Sequence, residues 1–93
     1  MVNPHTNCLN MCYVYVLKSE KDQNLYIGST NDLEKRFNEH NAGLVFSTKI
    51  RIPFDLVYYE AYKSERDDRN REKNLKIRSR AFVQLKKRIE GSL

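Results

Sequence analysis

The chain has 93 residues, enough for one domain with a modest core and no room for a separate substrate domain. Hydrophobic residues make up 40% and charged residues 31%, and six Tyr and four Phe argue against intrinsic disorder. No stretch approaches the roughly 18 apolar residues of a membrane span. The net charge is +5 but unevenly placed: the first 45 residues carry four Lys or Arg against five Asp or Glu, the remainder thirteen against seven.

In chain order, residues 1–10 lack periodicity, a basic n-region and an apolar h-region. They read as a flexible leader before a domain spanning 11–90, with the cytoplasm as the default compartment. Cys8 and Cys12 read as free thiols, because a reducing compartment disfavours a disulfide and His5 alone does not complete a zinc site. Tyr13–Lys18 is aromatic and β-branched and reads as a strand. Both of its faces are apolar, so cover is expected on both sides. A polar turn over 19–24 leads to a second strand over 25–30, antiparallel by proximity. Asn31 is positioned to cap a helix over about 32–41, with Glu34 in a capping-box arrangement, Leu33 and Phe37 facing the core, and Gly43 ending it. Residues 44–54 are ambiguous, with Pro53 barring a helix. A third strand is expected over 55–61. Ser64 caps a helix over about 65–77 that carries little apolar surface. Ser79 caps a last helix, whose core stripe is Phe82, Leu85 and Ile89 and whose end is Gly91. The expected class is α+β, a three-stranded mixed or antiparallel sheet flanked by helices in the order ββαβαα.

Three features carry chemistry. Tyr15 and Tyr26 lie eleven residues apart on adjacent strands, where two phenols could face each other, share a proton or bind an oxyanion. Cross-strand aromatic pairing for stability alone is the plainer account. Gly28, inside the second strand, suggests close approach of another backbone or a ligand. Arg36 and His40 share a helix face with Leu33 and Phe37. A guanidinium there can grip a phosphate, and an imidazole can pass a proton. Glu72 is the one acid among nine basic side chains in residues 69–88. It could simply pair with Lys76, or serve as the single carboxylate of a magnesium site. The basic run itself would attract a polyanion.

Taken together, YVYVLKS, LYIGSTNDLEKRFNEHNAG, STK, DLVYYEAY and RNREKNLK resemble the GIY-YIG nuclease superfamily over about residues 12–85, in its short stand-alone bacterial form. YVY stands where that superfamily has GIY, with the tyrosine kept at Tyr15. Asp68 and Arg69 stand where such proteins often carry small or apolar residues, and Ile77 and Arg78 replace a pattern that often includes an aromatic. The resemblance implies hydrolysis of phosphodiester bonds with one magnesium or manganese ion. Tyr15 would be the general base, its pKa lowered by Arg36 or a metal-bound water network. Tyr26 would hold phosphate or water, Arg36 would stabilise the transition-state charge, and His40 would assist the proton. Glu72 would hold the metal. Lys49, Arg51, Arg69, Arg71, Lys73, Lys76 and Arg78 would grip flanking phosphates of nucleic acid, DNA ahead of RNA, with structure preferred over sequence and a role in repair or recombination. A targeting partner protein is left open. The alternatives are a non-catalytic nucleic-acid-binding module with the same fold, and a small subunit that meets an acidic protein.

Overall fold

A computed structural model describes residues 10–77 and 80–93. The expected leader with His5 and Cys8, the cap at Ser79 and the contact at Arg78 fall outside the described residues. Three strands, β1 (Cys12–Ser19), β2 (Leu25–Thr30) and β3 (Phe54–Tyr62), form one antiparallel sheet in the order β2-β1-β3. Three helices accompany them: α1 (Leu33–Asn41), α2 (Glu65–Lys76) and α3 (Arg80–Arg88). The α+β class and the ββαβαα order are as expected, and the sheet is wholly antiparallel.

β1 is the central strand, and its alternation distributes side chains to two cores. Val14 and Val16 join Ile27, Leu75, Leu85 and Ile89 on one face. Tyr15 and Leu17 join Phe54 on the other, with Tyr26, Leu33 and Phe37 packed against them. The two-sided apolar pattern therefore has the two-sided cover it called for. Helix α2 contributes little apolar surface, yet its Leu75 is fully buried. A bulge between Val16 and Leu17 shifts the β1–β3 register.

The local signals hold with two corrections. Gly91 does not end α3: that helix stops at Arg88, and Gly91 lies in a 3-10 turn over Glu90–Ser92. Asp32 caps α1, accepting a hydrogen bond from the Lys35 amide. Asn31, the expected cap, lies one residue outside, because Thr30 Oγ1 takes the Asp32 amide and turns the chain first. The end of α1 at Gly43 is as read. Gly43 adopts φ +75°, and the Leu44 amide reaches back to the Glu39 carbonyl (3.0 Å) while that of Gly43 reaches the His40 carbonyl (3.1 Å). Ser64 caps α2 at the Asp67 amide. The ambiguous segment before β3 contains one 3-10 turn, Lys49–Arg51.

Candidate active site

The register of β1 and β2 sets the first part of the site. Tyr15 pairs directly with Gly28, and Tyr26 pairs with Leu17. The two tyrosines are thus diagonal neighbours on one face, with ring centroids 6.4 Å apart, and not directly opposed. Gly28 is the place of close approach, and what approaches is the Tyr15 ring. A Cβ on Gly28 would clash with the hydroxyl end of that ring, 2.9 Å from Cε1 and nearer still to Cζ and the hydroxyl oxygen.

Helix α1 supplies the second part. His40 is fully buried, deeper than a core-edge position. Its Nε2 lies 2.8 Å from the Tyr15 hydroxyl and its Nδ1 lies 2.8 Å from Thr48 Oγ1. The Thr48 hydroxyl donates in turn to the Val45 carbonyl at 3.4 Å. That chain assigns the tautomer: Nδ1 carries the ring proton and gives it to Thr48, and Nε2 accepts from Tyr15. The His40 ring also packs against Tyr26 (5.1 Å) and Phe54 (5.9 Å). Arg36 lies one turn earlier, bonded to Glu39 at 3.2 Å, with its guanidinium beside the same Tyr15 hydroxyl. Thr48 was absent from the sequence-derived candidates. Its only signal there was a place in the STK triplet of the resemblance, since a threonine in an irregular segment has no periodic signature.

Helix α2 supplies Glu72. Its helix packs on the Val14 and Val16 face, opposite Tyr15, yet its charge acts on the phenol. The carboxylate also pairs with Lys76 at 3.0 Å. One turn earlier, Asp68 is buried at 1% exposure. Ser29 Oγ, next to Gly28, donates to Asp68 Oδ2, whereas Oδ1 has no hydrogen-bond partner. Burial pushes the Asp68 carboxyl above its ordinary pKa, the Ser29 bond opposes this, and the charge of Glu72 adds to it. The sequence showed Asp68 only as a departure from the usual pattern.

Desolvation also governs the titration of Tyr15 and His40. Burial pushes the Tyr15 phenol up to about 12, with Arg36 pulling the other way and Tyr26 and Glu72 adding to the rise. Of the two influences expected to lower the Tyr15 pKa, Arg36 by itself does not offset removal of the phenolate from water; the metal-bound water network is the other. Burial, and then the Arg36 charge, lower the His40 pKa. Near neutral pH the Tyr15–His40 bond joins two uncharged groups.

The basic side chains divide. The Arg71 guanidinium is bonded to both oxygens of Glu60 (2.8 and 2.9 Å), which also accept from Tyr58 (2.6 Å) and Tyr62 (2.5 Å). Arg51 is held by Asp22 (2.7 Å) and the Asn24 carbonyl (3.2 Å). Both arginines serve as internal ties, a commitment that charge in a sequence does not reveal. Arg69 forms an exposed pair with Glu65 at 3.4 Å, and Lys49 and Lys73 are exposed. Among the described residues no three His, Cys, Asp or Glu side chains converge as a metal cage. Glu72, with the orphaned oxygen of Asp68 one turn away, fits a hard cation that keeps most of its ligands as water and phosphate oxygens.

Comparison with known proteins gives the family. The family model described as the GIY-YIG catalytic domain matches residues 11–88. The UPF0213 protein CPE1444 of Clostridium perfringens is 46% identical over 67 residues, 71% of each chain. The UPF0213 protein SSP2268 of Staphylococcus saprophyticus is 42% identical over 69 residues, 73% of this chain and 83% of that one. The solution NMR structure of the UPF0213 protein BH0048 from Bacillus halodurans superposes with a TM-score of 0.51 at 32% identity, covering 81% of this chain and 80% of that one. The chain belongs to the GIY-YIG family of nuclease catalytic domains.

Proposed function

We propose that this protein is a divalent-metal-dependent endonuclease that hydrolyses phosphodiester bonds of nucleic acid, DNA in preference to RNA. The observation that carries this reading is the buried hydrogen-bond chain Tyr15–His40–Thr48, set beside the Arg36 guanidinium and within range of the Glu72 charge.

The raised phenol pKa bears on the proton's route. Tyr15 does not stand ready as a phenolate. Its hydroxyl takes the proton of an attacking water while passing its own to His40 Nε2, so the pair acts as one base. Thr48 fixes the imidazole so that Nε2 faces Tyr15. The water oxygen forms a bond to phosphorus as the bond to the 3′ oxygen breaks, and the leaving oxygen ends protonated by solvent. Arg36 stabilises the negative charge gathering on the phosphoryl oxygens, and Tyr26, packed on His40, positions phosphate or water. Glu72 would hold a magnesium or manganese ion, which when bound supplies charge stabilisation at the departing oxygen. Lys49, Arg69, Lys73 and Lys76 grip flanking phosphates. Such contacts favour structure selectivity over sequence selectivity, as in repair or recombination. No helix among the described residues is long and apolar enough to cross a membrane, and we place the protein in the cytoplasm, with a targeting partner possible.

A second reading, a binding module without turnover, draws on the phenol pKa of about 12, which is far from that of a free base at neutral pH. A nicking assay separates the two. Supercoiled plasmid and branched and single-stranded oligonucleotides are incubated with magnesium, with manganese and with chelator, using wild type and Glu72→Gln. Metal-dependent cutting lost in Glu72→Gln supports the nuclease. Salt-sensitive binding with no cutting on any substrate supports the module.

A further inference from the structure

The segment between α1 and β3 holds large apolar side chains out in solvent: Phe46 is 84% exposed and Ile50 72%. Its backbone is nevertheless pinned at several points. Val45 and Thr48 are buried. The Thr48 amide bonds to the Val45 carbonyl at 3.1 Å, and the Arg51 amide to the Thr48 carbonyl at 2.9 Å. Ser19 Oγ donates to the Arg51 carbonyl at 2.6 Å, and Lys21 Nζ to the Ile50 carbonyl at 3.0 Å. Lys49 Nζ lies 4.9 Å from the centre of the Phe46 ring. An aromatic ring on an anchored turn, with one cation over it and a second bonded to the same segment, matches the chemistry of a nucleotide: a flat π surface joined to an anion.

We propose that Phe46 is a stacking platform for an unpaired base of the bound strand, with Lys49 and Lys21 taking the adjoining phosphates. The inference rests on the nucleic-acid reading above and adds the substrate class: single strands, flaps or frayed ends. In a duplex the faces of each base are covered by its neighbours, so a protruding ring gains nothing from paired nucleic acid without unstacking it. The placement fits the site. Phe46 is two residues from Thr48, so its Cα lies within about 7 Å of the residue that orients His40. Phe46 thus belongs to the same anchored segment as the residue that orients His40.

The test is binding in chelator, where nothing is cut. The probes are a labelled oligothymidylate of about 20 nucleotides and a duplex of the same length. The proteins are wild type, Phe46→Ala and Phe46→Tyr. Phe46→Ala is expected to weaken single-strand binding roughly 5- to 150-fold, leave duplex binding within about twofold, and be rescued by Phe46→Tyr. A single-strand probe carrying 2-aminopurine is expected to lose its stacking-dependent fluorescence change in Phe46→Ala and regain it in Phe46→Tyr. Equal losses on both probes, or none on the single strand, overturn the platform and leave the nuclease reading intact. The expected losses without metal-dependent cutting sink hydrolysis and keep the platform. Absence of all nucleic-acid binding sinks both. A wild-type dimer that Phe46→Ala dissociates assigns the ring to a second copy of the chain and also overturns the proposal.

Discussion

The Tyr15 hydroxyl sits 2.8 Å from Nε2 of His40, a residue 25 positions later, and both residues are buried. Burial drives their two pKa values in opposite directions, phenol up and imidazole down. Both shifts favour the uncharged forms, so the surroundings oppose moving the phenol proton onto the imidazole.

Thr48 is expected to act through His40. Thr48→Val keeps the volume and leaves the Nδ1 proton without an acceptor, at a cost of about 1–3 kcal/mol of stability. Cleavage is expected to fall about tenfold or more in kcat, with nucleic-acid binding unchanged and rescue by Thr48→Ser. Thermal unfolding and single-turnover cleavage check this, and equal kcat in Thr48→Val would remove the threonine from the mechanism.

The pH dependence follows from the signs. The folded state lowers the His40 pKa below 6.5, so the unfolded chain binds the proton more readily. This contribution to stability is full above pH 6.5 and is lost as pH falls. Cleavage, which needs neutral His40, is expected to keep its plateau to below pH 6.5 and then decline. Tyr15 behaves oppositely. Its pKa rises from 10 to about 12, so its contribution is full below pH 10 and is lost as pH climbs toward 12. Phenolate absorbance followed during alkaline titration should show Tyr15 and Tyr62, both pushed up to about 12, ionising last or together with unfolding. In Glu72→Gln the Tyr15 titration should move down, since the Glu72 charge adds to the rise.

Gly28 and Tyr15 are sterically coupled. Gly28→Ala is expected to destabilise by about 1–3 kcal/mol, because the new methyl meets the phenol ring inside a packed core. Tyr15→Phe removes the hydroxyl but keeps Cζ and Cε1 in place, so it should not relieve the clash. Tyr15→Ala should make Gly28→Ala nearly neutral. A double-mutant cycle by chemical denaturation measures the coupling, and additive effects would show that the ring yields freely.

Asp68 carries its charge in an unfavourable place. Its pKa is raised in the folded state, so its contribution favours folding at acid pH and weakens as pH rises through the folded pKa. Asp68→Asn retains an acceptor for Ser29 and abolishes the buried charge. It is therefore expected to be more stable than wild type at pH 8 and nearly equal at pH 4, by thermal unfolding. A loss of metal-dependent stabilisation in the same variant would show that the orphaned Oδ1 serves the cation.

Much of the frame was legible from local pattern. Two-sided apolarity in Tyr13–Lys18 foretold a strand covered on both faces, Gly43 the end of α1, Ser64 the start of α2, and Leu85 the core face of α3, because each depends on residues within a few positions. The cap of α1 was misplaced by one residue where Thr30 competed for the turn. Tyr15, Tyr26, Arg36, His40 and Glu72 were visible as residue types in order. Their relations were not: the diagonal register of the tyrosines, the bond from His40 to Thr48, the effect of the Glu72 charge on the Tyr15 phenol and the burial of Asp68 are all long-range. Arg51 and Arg71 make the same point, since their positive charge was plain but their carboxylate partners lie 29 and 11 residues away. The sequence by itself determined which groups are present and which elements carry them. Tertiary structure alone decided which of those groups lose water and which find partners, and desolvation and pairing are what set their protonation and chemistry.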